Sequence, residues 1–82
     1  METIERWWNG LWGTSAKQEV FLHVEAGHWV VEHRRRGQSR FWLCDSQVQA
    51  RAIVEGLLAA GPGDWREMPD PEQQAALRQQ AG

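Results

Sequence analysis

The chain has one cysteine, one lysine and no tyrosine among its 82 residues. A lone Cys44 excludes an intrachain disulfide and any cysteine-based zinc cluster. The fold therefore has no covalent staple, in a size range where a single core gives only a narrow stability margin. No apolar run approaches the roughly 20 residues that a membrane-spanning helix needs. The chain starts with acidic Glu2 and Glu5 rather than the basic segment of a signal peptide, so a cytoplasmic protein is expected. Also missing are a glycine-rich phosphate loop, a serine-centred nucleophile elbow and paired catalytic carboxylates. With no such signal, and none for a cofactor, the expectation is a binding protein and not an enzyme.

Tryptophan and arginine are what the chain has in quantity. Six tryptophans offer a large area to bury, in a core or against a partner. Arginine supplies all the positive charge except Lys17, a usage that points to a GC-rich bacterial or phage genome. The net charge of −2 is unevenly spread. Residues 1–32 and 52–82 are acidic, and the basic block lies between them, most densely in "EHRRRGQSRFW" from Glu32 to Trp42. The chain as a whole would weakly repel a polyanion, so any nucleic-acid contact would have to be local.

Periodicity predicts one small α+β domain over 1–82. In "TIERWWNGLWG", Ile4, Trp7, Trp8, Leu11 and Trp12 fall on one face of a helix spanning 3–12, with Thr3 as N-cap and Gly13 as its end. Residues 19–45 read as a three-stranded antiparallel meander with two-residue loops at Ala26-Gly27 and Gly37-Gln38. Counting from those loops sets Val24 against Trp29, Leu22 against Val31 and Val20 against His33. It also sets Val31 against Cys44, His33 against Trp42 and Arg35 against Arg40. One sheet face then gathers Val20, Leu22, Val24, Trp29, Val31, Trp42 and Cys44, and is the core side. A helix over 46–60 follows, with the Ser46 and Gln49 spacing of a capping box, a stop at Gly61-Pro62, and an apolar side of Val48, Ala52, Ile53, Leu57 and Ala60. "WREM" is expected to be a short extended piece. Asp70 and Pro71 open a frayed tail helix over 70–82.

The resulting α-β-β-β-α order resembles, over about residues 3–60, the layout of double-stranded-RNA-binding domains. The meander and following helix are likewise similar to the small DNA-reading domains of phage-type integrases. The basic cluster that the former carry at the start of the last helix is absent, since Asp45, Ser46, Gln47 and Gln49 stand there.

Several constellations carry candidate chemistry. Arg34, Arg35, Arg36 and Arg40 straddle the second hairpin turn, where guanidinium forks suit phosphate oxygens but also serve as a soluble hairpin tip. Trp7, Trp8 and Trp12 have the spacing of an interfacial helix, but Glu2, Glu5 and Arg6 make a poor polar face for one, so packing on the chain's own core is expected instead. His23, Glu25 and His28 share one sheet face and offer two imidazoles and a carboxylate. No fourth ligand is evident, and polar surface rather than metal is expected. Cys44 and His33 fall diagonally on the core face, where apolar neighbours would leave the thiol inert. The opposite face holds Phe21, Val30, Phe41 and Leu43, rimmed by His23, Glu32 and Arg34, in the manner of a protein interface. The functional expectation is therefore a module acting through protein association, either as a homodimer or docked on a larger protein. The alternative is a nucleic-acid-binding accessory or regulatory protein that uses the four arginines.

Overall fold

The computed structural model describes residues 1–69, and the expected tail helix over 70–82 lies outside them. The elements are β1 (Glu2–Trp8), β2 (Gln18–Glu25), β3 (His28–Arg35), β4 (Gln38–Cys44), α1 (Gln47–Ala60) and β5 (Arg66–Met68). They form one antiparallel sheet in the order β4-β3-β2-β1-β5, with α1 packed on one face. The first four strands are a meander. α1 then returns over the sheet, and β5 pairs beside β1 at the far edge. Four inter-strand steps span about 19 Å and a 14-residue helix is about 21 Å long, so α1 has the length its crossing requires.

This corrects the expected three-stranded sheet with an N-terminal helix. The segment expected to be helical over 3–12 is instead β1, paired with β2 on one side and β5 on the other. Two features hid its alternation. A β-bulge leaves Ile4 unpaired between Thr3, opposite His23, and Glu5, opposite Leu22. Downstream, Trp7 points to the helix face opposite Val20, while its neighbour Trp8 points to the other face opposite Glu19. A bulge followed by tryptophan on both faces imitates helical spacing, although aromatic and β-branched residues favour a strand. Gly10 and Gly13 then adopt positive φ, which ends any regular element. Without an N-terminal helix, the likeness to double-stranded-RNA-binding domains does not hold.

The second hairpin turns at Arg36-Gly37, not Gly37-Gln38. Both residues have positive φ, as a type I′ turn requires, and the Ala26-Gly27 turn is of the same kind. The β2–β3 register is the one expected, whereas β4 is displaced by two residues. Val31 faces Trp42, His33 faces Arg40, Trp29 faces Cys44 and Arg35 faces Gln38. A two-residue displacement preserves the face of every side chain, so the core face survives the change.

That core consists of Val20, Leu22, Val31 and Cys44 from the sheet under Ala50 and Val54 of α1, with Trp7, Trp29, Trp42, Ile53, Leu57, Leu58 and Trp65 packed around it. α1 is thus rotated from the side expected, because its buried stripe runs 50, 53–54, 57–58 and leaves Val48 in solvent. Its N-terminus is capped as expected. The Ser46 hydroxyl accepts from the Gln49 N–H at 3.2 Å, and the Gln49 side chain reaches back to the Asp45 N–H at 3.1 Å.

Asn9 anchors the loop between β1 and β2. Its side chain, 0% exposed, donates through Nδ2 to the carbonyls of Ala16 (2.9 Å) and Pro62 (3.2 Å). Its Oδ1 accepts from the N–H groups of Gln18 (3.0 Å) and Leu11 (3.3 Å). The backbone of Asn9 pairs with Gln18 and Asp64 as well. This one amide ties the 9–18 loop to the segment that follows α1.

Candidate functional site

The sheet face away from α1 is covered by no other element among the described residues. Read across β4, β3, β2 and β1, one row holds Leu43, Val30, His23 and Thr3. The next holds Phe41, Glu32, Phe21 and Arg6, and the third Ser39, Arg34, Glu19 and Trp8. Phe21 and Val30 are buried within this layer by their neighbours, so they form its floor. Phe41 and Leu43, on the edge strand β4, are 57% and 70% exposed. The four apolar residues expected to act together are thus adjacent, but only two of them offer contact area.

The floor is held by a hydrogen-bonded chain that crosses four strands. The Thr3 hydroxyl meets His23 Nδ1 at 3.0 Å, and His23 Nε2 meets Glu32 Oε1 at 2.9 Å. Ser39 Oγ and Arg34 Nη2 donate to Glu32 Oε2 at 2.6 and 3.0 Å. Facing a carboxylate, Nε2 carries a proton, and in the neutral ring Nδ1 accepts from Thr3. Burial opposes ionisation of Glu32, but the hydrogen bonds from Ser39, His23 and Arg34 outweigh it and hold the carboxyl below its ordinary range. Phe21 stacks on His23 with ring centroids 5.5 Å apart, and the guanidinium groups of Arg34 and Arg6 lie over the Phe21 ring at 4.9 and 5.7 Å. Arg6 also binds Glu19 at 2.8 Å. The expected rim of His23, Glu32 and Arg34 is therefore a brace inside the layer. Alternation places His23 and Glu32 on one face, but their cross-strand contact depends on register, and Thr3 joins only because β1 is a strand.

Strand alternation divides the four arginines. Arg34 and Arg36, together with Lys17, line a cleft beside the 13–17 turn on the open face. Arg35 and Arg40 line a second hollow on the helix side with His33, Trp42 and Leu57. Arg40 lies 5.6 Å over the Trp42 ring, and Arg34 is already paired with Glu32. Burial, with Arg35 and Arg40 nearby, pushes the His33 imidazole below its ordinary value, and its Nε2 is 3.0 Å from the Gln18 side chain.

The other candidates separate. His23 is engaged by Glu32 and Thr3, while Glu25 and His28 are exposed at the β2–β3 turn, and no metal-binding cluster occurs among the described residues. Cys44 pairs with Trp29, four residues along β3 from His33 and so about 13 Å away, which rules out a thiolate–imidazole pair. Burial, reinforced by Asp45, pushes the Cys44 thiol up. Trp12 is 75% exposed, packed against Trp8 at 4.7 Å between ring centroids and under Lys17. Of the three tryptophans expected to pack together on the core, only Trp7 does so, while Trp8 and Trp12 pack on each other away from it. No helix among the described residues is long and apolar enough to cross a membrane.

Comparison of the chain with protein-family models, curated proteins and solved structures finds no match.

Proposed function

We propose that the chain is a non-enzymatic cytoplasmic module acting through protein association, and that its contact surface is the sheet face opposite α1. The observation that carries this reading is the exposure of Phe41 and Leu43, side by side on β4, over a floor made rigid by Phe21, Val30 and the Thr3–His23–Glu32–Ser39 chain. Exposed apolar side chains on a preorganised base lose little entropy when a partner covers them.

The test is a paired substitution. Phe41→Glu with Leu43→Glu is expected to leave thermal stability within about 1 kcal/mol of wild type, because both side chains are exposed. It is expected to weaken association at least tenfold in sedimentation or pull-down measurements. Unchanged association by the folded variant would end this reading.

A second reading, nucleic-acid contact through the hairpin end, is favoured by the cleft that gathers Lys17, Arg34 and Arg36. Anisotropy titration with generic duplex DNA and RNA decides it. Phosphate contact predicts affinity that falls with the logarithm of salt concentration and drops when Lys17 and Arg36 become glutamine. Binding that is absent at low salt, or indifferent to both changes, removes it.

A further inference from the structure

The two edges of the sheet are protected unequally. β5 is three residues long and is followed by Pro69, and β1 behind it is interrupted by the bulge at Ile4. These are features by which proteins blunt an edge against unwanted pairing. β4 is seven residues long with no proline or bulge, and its one protecting feature is the charge of Arg40, which lies over Trp42 on the helix face.

The register shows which β4 backbone groups have no partner among the described residues. A two-residue turn closes on a hydrogen-bonded pair, here Arg35–Gln38, and such pairs recur at every second position. His33–Arg40, Val31–Trp42 and Trp29–Cys44 are therefore hydrogen-bonded, so the N–H and C=O of Ser39, Phe41 and Leu43 point away from the sheet. Phe41 is the midpoint of that row. An antiparallel copy of β4 placed about a twofold axis at Phe41 would pair Phe41 with Phe41 and Ser39 with Leu43, satisfying every one of these outward groups.

The side chains agree with that register. On the open face only Phe41, Leu43 and Ser39 meet, with no charge opposed to another. On the helix face Arg40 stands opposite the partner's Trp42, repeating the guanidinium–indole contact made within one chain. At the ends, Asp45 falls opposite the partner's Gly37, beside Arg36, so opposite charges adjoin. An axis at Arg40 would pair Ser39 with Phe41 but set Leu43 against the turn residue Gly37, an axis at Trp42 would pair Phe41 with Leu43 but set Ser39 against Asp45 beyond the strand, and an axis at Ser39 would leave both Phe41 and Leu43 without a partner on β4.

We infer that the partner is a second copy of this chain, joined β4 to β4 about Phe41, so that two five-stranded sheets become one. The inference rests on the association reading above and specifies its partner and geometry.

Sedimentation equilibrium of the full chain, from micromolar to millimolar, with amide hydrogen exchange at the same concentrations, tests it. A reversible dimer is expected, in which the amides of Ser39, Phe41 and Leu43 exchange slowly only at high concentration. Leu43→Pro removes an outward N–H and no bond within the chain, and is expected to weaken the dimer about thirtyfold or more, whereas Leu43→Thr, which keeps the N–H, changes it only a few-fold. A dimer that survives Leu43→Pro but is lost in Phe41→Glu packs face to face, which overturns the edge pairing and keeps the association reading. A dimer indifferent to both overturns both. A chain monomeric throughout overturns the self-pairing, and so does protection of these three amides in a chain that sediments as a monomer.

Discussion

Asn9→Ala is expected to lower the unfolding free energy by about 3–4 kcal/mol, the largest effect of any single substitution away from the apolar core. The Asn9 side chain makes four hydrogen bonds, all to backbone groups, and is wholly buried. Truncation leaves the N–H groups of Gln18 and Leu11 and the carbonyls of Ala16 and Pro62 without this partner, and each orphaned buried group costs about 1–3 kcal/mol before relaxation and water recover part of it. Urea denaturation followed by tryptophan fluorescence measures this directly, with the midpoint moving and the slope unchanged. Asn9→Asp gives a sharper test. It keeps Oδ1 as an acceptor but sets an acceptor against two carbonyls, so nearly the full loss is expected. A variant as stable as wild type would show that the amide's donor side contributes nothing.

Glu32→Ala is expected to cost about 2–4 kcal/mol and to alter the pH dependence of stability. Removing one member of a buried, hydrogen-bonded charge cluster strands the others, here His23, Ser39 and Arg34. The sign of the pH effect follows from the direction of the shift. The folded state holds the Glu32 carboxyl below its ordinary 4.5, so its contribution is complete above that value and is lost as pH falls through the lower, folded-state pKa. Wild type is therefore expected to lose stability steeply in acid. In Glu32→Gln, which keeps the shape and cannot ionise, that acid limb is expected to flatten. Equal slopes for the two proteins would show that Glu32 ionisation does not contribute to the fold.

How far the sequence reveals this structure depends on the range of the interaction that decides each element. The β2–β3 hairpin and the capped helix are set by local signals: alternating Val20, Leu22 and Val24, a left-handed Ala26-Gly27 turn, and the Ser46–Gln49 cap. Those were legible. The Arg36-Gly37 turn was misplaced by one residue because it puts an arginine at positive φ, where glycine is the usual occupant. β1 was misread because its state is decided by strands far away in sequence. Its alternation is broken at Ile4, and only β2 and β5 on either side make it extended. The site was legible in part for the same reason. That Phe21, Val30, Phe41 and Leu43 share a face follows from alternation alone, whereas the burial of the first two does not. That of Phe21 depends on Arg6 and Arg34, whose guanidinium groups reach over its ring. Asn9, an isolated amide between Trp8 and Gly10, carries no pattern at all, since its partners are backbone groups of Leu11, Ala16, Gln18 and, far along the chain, Pro62.

The return of α1 to place β5 beside β1 has a kinetic consequence. The hairpins β2–β3 and β3–β4 close loops of two residues, whereas pairing Trp8 with Arg66 closes one that includes almost the whole described chain. By loop-closure entropy alone the longer closure costs about 3 kcal/mol more. The longest-range pairing thus falls on the three-residue strand β5, which is expected to form late in folding and to open early. Each opening would unmask the edge of β1 and, with it, the flank of the core that Trp7 and Trp65 close.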